Sequence, residues 1–264
     1  MVLWLLFFHF PGIKVQETSF APMWQVSVNA PLSLVKGFDD QIFVLTGTGA
    51  IARISSSGSV ENAVWAQGFQ GARDLAYSGS AIWVAGKRDL WEVDRHGKVR
   101  QRFTGPENAT WDAVAAQTDT LFLADTRKNR IYRFHGGRFH LWTRGDHLHQ
   151  PAAMMVQDNQ LYLACLGGPV EKGALRVLPL TEGGTTSLWS GPLGRLTGLA
   201  PDGDFGFLLS DRQGRRLLHL GEDGQVAGTI SLKGKPAGVC LLSAGAVAVA
   251  LPEANLVTAY ALKK

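Results

Sequence analysis

LFLADTRKNRIYRF, residues 121–134, decides the fold. It is an apolar run, a polar turn and a second apolar run. FLLSDRQGRRLLHL at 207–220 repeats it, and VAVALPEANLVTAY at 247–260 keeps the spacing with other residues. A short segment reading P-x-G-hydrophobic, or a variant of it, precedes each copy. Working outward, that segment recurs as Pro31-Leu32-Ser33-Leu34, Ala72-Arg73-Asp74-Leu75, Trp111-Asp112-Ala113-Val114, Pro151-Ala152-Ala153-Met154, Leu196-Thr197-Gly198-Leu199 and Pro236-Ala237-Gly238-Val239. These define six units. Their period of about 40 residues is that of propeller blades or solenoid repeats.

Each unit holds four short strands, at 32–35, 41–46, 51–55 and 63–67 in the first. Alternating polarity and enrichment in Val, Ile, Leu, Phe and Trp argue for strands. Gly/Asp/Ser clusters such as GFDDQ, SSSGS, DRHGK and GEDGQ separate them. No segment sustains a helical apolar period with caps. The expected fold is all-β. A four-stranded sheet exposes two apolar faces, and radial stacking in a closed ring buries both. The expected architecture is therefore a six-bladed β-propeller of antiparallel blades. The sixth unit ends after three strands, and Val26-Ser27-Val28 runs into Pro31 much as Ile230-Ser231-Leu232 runs into Pro236. Residues around 23–29 are thus expected to close the ring by pairing with the last blade, which removes an open sheet edge.

The bulk composition narrows the function classes. A net charge of +4 and a pI of about 9.2 are mildly basic, short of a nucleic-acid arm. Two cysteines give no disulfide framework; Cys165 and Cys240 fall in different units and are read as buried thiols. The segment 1–21 opens MVLWLLFFHF, too short to span a bilayer. It is read as an export-related segment or a membrane-touching tail, with one propeller domain over 22–264. A periplasmic or secreted location follows from that reading, with a cytoplasmic location as the alternative.

The units resemble NHL repeats, most closely at Trp111-Asp112-Ala113-Val114 followed by LFLADTRKNRIYRF. The resemblance spans about 22–264 and implies a six-bladed propeller. The wider superfamily includes gluconolactonase-like hydrolases and peptidylglycine amidating lyases. Likeness to the former implies a divalent metal at the channel mouth, held by a Glu opening the first blade, Asn residues and an Asp. Here Leu32 and Ser33 follow Pro31, Leu196-Thr197-Gly198 stands at the Pro-Asn-Gly position, and only Asp211 matches. One carboxylate does not hold a hard cation. Likeness to the lyases implies zinc held by histidines from separate blades. His147 and His149 share one loop and lack a third ligand, so they are weak metal candidates. No cofactor is expected, with calcium or zinc as the exceptions to test.

In a propeller the opening of each first strand and the turn after each second strand share one face. The opening residues are Leu32, Arg73, Asp112, Ala152, Thr197 and Ala237. Arg73 and Asp112 come from adjacent blades and suit an ion pair. Asp125 and Asp211 recur at one repeat position, where a carboxylate can cap the following turn. Lys87, Arg88, Arg127, Lys128, Lys172, Arg212, Arg215 and Arg216 make the turns net positive. The candidate ligand-binding residues are Arg73, Asp112, Thr197, Asp125, Asp211, Arg127 and Arg212. A loop at 167–173 could cover the channel, and Asn108-Ala109-Thr110 is a glycosylation sequon. The expectation is a non-catalytic, monomeric propeller binding a protein or a small anionic ligand at the channel mouth. Nucleic acid is not the expected partner, because the turns lack aromatics for base stacking. The alternative is a metal-dependent hydrolase or lyase with a divergent channel site.

Overall fold

A computed structural model describes residues 19–167, 173–181, 186–190 (backbone only), 194–204, 206–221, 224–243 and 245–263. The apolar export-related segment 1–18 and most of the 167–173 loop expected to cover the channel, Lys172 included, lie outside the described residues.

The chain forms six four-stranded antiparallel sheets. Strand β1 is Ser19–Ser27. Blade one holds β2 (Pro31–Lys36), β3 (Ile42–Thr46), β4 (Ala50–Ile54) and β5 (Val60–Gln67). Blade two holds β6 (Ala72–Ser78), β7 (Ala81–Gly86), β8 (Asp89–Val93) and β9 (Val99–Thr104). Blade three holds β10 (Ala113–Gln117), β11 (Thr120–Asp125), β12 (Arg130–His135) and β13 (Arg138–Arg144). Blade four holds β14 (Pro151–Gln157), β15 (Gln160–Cys165), β16 (Ala174–Pro179) and β17 (Thr186–Ser190). Blade five holds β18 (Leu196–Pro201), β19 (Phe207–Asp211), β20 (Arg216–Leu220) and β21 (Val226–Ser231). Blade six holds β22 (Val239–Ser243), β23 (Ala246–Leu251) and β24 (Leu256–Lys263), with β1 as its fourth strand. The first strands of successive blades touch, and β2 meets β22, so the array is a closed six-bladed propeller.

The repeated motif is one hairpin in one register. Leu121 faces Phe134 and Asp125 faces Arg130; Phe207 faces Leu220 and Asp211 faces Arg216; Val247 faces Tyr260 and Leu251 faces Leu256. In two copies the turn is a single 3-10 turn ended by an Asn in the left-handed region, Asn129 (φ 48°) and Asn255 (φ 54°). Asn is among the few residues that tolerate this region. Both side chains then reach forward. Asn129 Oδ1 accepts the Gln150 N–H (2.7 Å), and Asn255 Oδ1 accepts the Ala30 N–H (2.8 Å). Each turn thus fastens its blade to the segment leading into the next.

Among the described residues the buried side chains fall into six clusters, one in each gap between adjacent blades. The gap between blades two and three centres on Trp111, fully buried and stacked on Phe139 at 5.3 Å, its Nε1–H donating to the Arg88 carbonyl (2.9 Å). Since each blade buries apolar area only against its neighbours, the ring is the unit of stability.

Closure follows the expected route with a longer strand. β1 begins at Ser19 rather than near Met23, and Ser19 faces Lys263 while Ser27 faces Leu256. A bulge between Pro22 and Trp24 adds one residue and reverses which face later side chains address. Phe20 therefore packs into the gap with blade five, and Trp24 and Val26 into the gap with blade one. Trp24 Nε1–H also donates to the Ser56 carbonyl (3.0 Å). Gly58 is required beneath it, because it has φ 87° and an added Cβ would lie 2.5 Å from the indole.

Candidate functional site at the channel mouth

The first strands line the central channel, and their openings are irregular in a repeated way. Pairing with the second strand skips a residue between Pro31 and Ser33, Ala72 and Asp74, Pro151 and Ala153, and Leu196 and Gly198. The skipped residues are Leu32, Arg73, Ala152 and Thr197, four of the six opening residues. A bulge frees one side chain from the alternation of the strand and re-aims it. Here it places Arg73, Ala152 and Thr197 around the mouth, and Leu32 on the channel wall. Gly198 follows one bulge because the Ala237 carbonyl oxygen would lie 2.5 Å from any Cβ there.

The mouth is a cavity of about 590 Å³ lined by Arg73, Asp112, Thr126, Arg127, Gln150, Ala152, Leu166, Arg195, Thr197 and Arg212. The expected residues Arg73, Asp112, Thr197, Arg127 and Arg212 thus meet in one place. Arg73 Nη1 lies 2.5 Å from Asp112 Oδ1, the ion pair expected between adjacent blades. Asp112 Oδ2 accepts the Thr126 N–H (3.2 Å), and Thr126 Oγ1–H donates to the Pro151 carbonyl (2.6 Å). Thr197 Oγ1–H donates to the Pro236 carbonyl (3.1 Å). The Arg73–Asp112, Thr126–Pro151 and Thr197–Pro236 contacts tie blade to blade around the mouth, and the Thr126–Asp112 bond braces blade three internally. Among the described residues four guanidinium groups face a single carboxylate there, and that carboxylate is already paired. Arg212 lies 3.9 Å from Glu253, which Lys235 also holds at 3.1 Å. Among the described residues Arg127 and Arg195 have no carboxylate partner, so the described lining carries unbalanced positive charge.

Asp125 and Asp211 lie at the buried ends of β11 and β19 beside the mouth and not in its lining. Asp211 accepts the Gly214 N–H and Arg216 Nε–H, each at 2.9 Å. Asp125 accepts the Thr110 N–H at 3.4 Å, and burial pushes its carboxyl above the usual range. His147 folds back over Gly145, and His149 is a left-handed residue whose carbonyl accepts the Gly167 N–H (3.3 Å). Among the described residues no three His, Cys, Asp or Glu side chains come together as metal ligands. Cys165 and Cys240 are buried free thiols pushed up to about 12 by burial, so they are held protonated.

Two residues escaped the sequence reading. Arg195 lies two positions before Thr197, in the segment leading into β18, whereas Arg127 and Arg212 follow the second strands β11 and β19. Asp74 lines the channel below Arg73. Its Oδ1 accepts the Ser33 hydroxyl (2.6 Å) and the Leu75 N–H (2.9 Å), and its Oδ2 accepts the Val114 N–H (2.8 Å). It therefore pins blades one, two and three. Burial raises its carboxyl to about 6 against the pull of these three donors.

No family model matches the chain, and no curated protein matches its sequence. Solved structures match its shape. Virginiamycin B lyase from Staphylococcus aureus superposes with a TM-score of 0.70 at 11% identity, over 94% of this chain and 100% of that one. The WD40 β-propeller domain of Doa1 gives 0.72 at 12% identity, over 93% and 98%. The β-propeller domain of Cps50 (Swd1) from Myceliophteria thermophila gives 0.68 at 9% identity, over 93% and 100%. At such identities the likeness is one of fold, and folds of this kind carry independently grafted sites.

Proposed function

We propose that this propeller binds a small anionic ligand at its channel mouth without transforming it. The observation that carries this reading is the convergence of Arg73, Arg127, Arg195 and Arg212 on one concavity where the lone carboxylate among the described residues is already paired. Guanidinium groups present planar forks of donors that match carboxylate and phosphate oxygens. The cavity volume lies in the range of small-ligand sites. Resemblance to NHL repeats accords with a binding role. A hydrolase or lyase reading has less support. Asp112 is engaged by Arg73 and the Thr126 amide, Thr197 by a backbone carbonyl, and among the described residues neither has a neighbouring base in the lining.

Calorimetric titration of the protein with citrate and with pyrophosphate tests the proposal. One site is expected, with affinity falling as salt rises. Replacing Arg127 and Arg212 together by Ala should weaken binding at least about tenfold, equivalent to about 1.4 kcal/mol. Unchanged affinity in the double variant would overturn the reading.

A further inference from the structure

We infer that the β12–β13 hairpin carries a second anion site, on the outer part of blade three, for the tetrahedral dianion of a sulfate or phosphate monoester. The site does not rest on the channel mouth. The hairpin reads Arg133-Phe134-His135-Gly136-Gly137-Arg138-Phe139-His140, the triplet Arg-Phe-His repeated across a Gly-Gly turn. Gly136 and Gly137 both have positive φ (56° and 76°), the backbone of a tight two-residue hairpin turn. That turn sets Arg133 opposite His140, Phe134 opposite Phe139 and His135 opposite Arg138. Alternation then sorts the triplets by face. Phe134 and Phe139, 4.8 Å apart, fill the gap between blades two and three. Arg133, His135, Arg138 and His140 share the other face, toward blade four.

Basic groups directly opposed across strands cost stability when charged, and here two such pairs adjoin. Among the described residues none of the four side chains has a carboxylate partner. Arg176 adds a cation from blade four, since it pairs with Leu163, which packs into this gap. Cys165 in the same gap is held protonated. Arg133, His135 and His140 line a cavity of about 430 Å³ with Thr120, Leu141 and Trp142. The Arg133 guanidinium lies against the Phe122 and Trp142 rings (5.6 and 5.8 Å), and its buried Nε–H has no partner among the described residues. His135 Nδ1 lies 3.1 Å from the Asp119 carbonyl, which can only accept, so Nδ1 carries the proton. Neutral His135 therefore offers an arriving anion only the acceptor Nε2, and protonation turns Nε2 into a donor. A dianion supplies the counter-charge for both imidazoles, so binding takes up protons. Donors from three side chains suit the several oxygens of a tetrahedral head.

Ring NMR of His135 and His140 during titration with sodium sulfate, at constant ionic strength, tests this. Sulfate stays doubly charged from pH 6 to pH 8, so any pH dependence belongs to the protein. Use of the Arg127→Ala/Arg212→Ala chain reads this site with the mouth weakened. Saturable shifts of both rings are expected, with affinity at least about tenfold higher at pH 6 than at pH 8. His140 is exposed, so His140→Gln should keep the fold and weaken the sulfate response of His135 at least about tenfold. Absence of saturable shifts, equal affinity at the two pH values, or an unchanged response in His140→Gln overturns the inference and leaves the mouth standing. Ring shifts with phosphatidylglycerol vesicles but not with sulfate also overturn it, by assigning the hairpin to a membrane surface.

Discussion

Asp74 dominates the chemistry of the channel at the scale of single residues. Its folded value of about 6 stands above the ordinary 3.8, so the folded chain favours the protonated form. The sign follows from linkage. The contribution of Asp74 is fully present below the unfolded value and is lost as pH rises through about 6. The swing is on the order of 2 kcal/mol once channel water is allowed for. Thermal melts from pH 4 to pH 7 should therefore show Asp74→Asn declining less steeply than the wild type. Parallel curves would remove Asp74 as the source. The amide would also set a donor against the Val114 N–H, lowering stability at all pH values. Arg73 and Asp112 were legible as partners because the repeat gives their blades a common register. Asp74 was not, although it is the next residue after Arg73. In a regular strand the two would point to opposite faces. The bulge at Arg73 breaks that alternation, and no local residue pattern announces it.

At the scale of elements, the hairpin of 121–134 is the recurring device, and its Asn is the part that reaches outward. Asn255 combines a left-handed backbone with a side-chain bond to the Ala30 N–H, and its own carbonyl accepts the Val28 N–H (3.0 Å). Asn255→Ala should cost about 1 kcal/mol for the backbone and about 1 kcal/mol for the lost bond. The expected fall in Tm is about 4–8 °C for a domain of this size. Asn255→Gly should recover the backbone part alone and melt between the two. Identical melting of all three proteins would show that the turn does not fasten the ring. The strands and their register were readable from apolar alternation and Gly/Asp punctuation. The reach of β1 to Ser19 was less so, because Pro22 interrupts the pattern where the bulge lies.

For the whole molecule, the ring makes distant residues interdependent. Removal of 1–30 strips blade six of β1, opens its edge at β24 and uncovers apolar surface in two gaps. That truncation should be strongly destabilised, whereas removal of 1–18 should leave the melting temperature near that of the full chain. Equal melting of full-length protein and residues 31–264 would refute closure by β1. Six units and their closure were visible in the sequence because each needs a neighbour to cover its faces. The full set of arginines at the mouth was not, because they come from separate blades and from different positions within the repeat.

The pairing of Ser19 with Lys263 has a mechanical corollary. Both chain ends leave the seam at the same point, so traction applied through anything tethered ahead of Ser19 and behind Lys263 loads its hydrogen bonds one pair at a time. The join peels like a zip instead of resisting in shear. Under tension this wheel should open first at its own clasp, with the other five blades still intact.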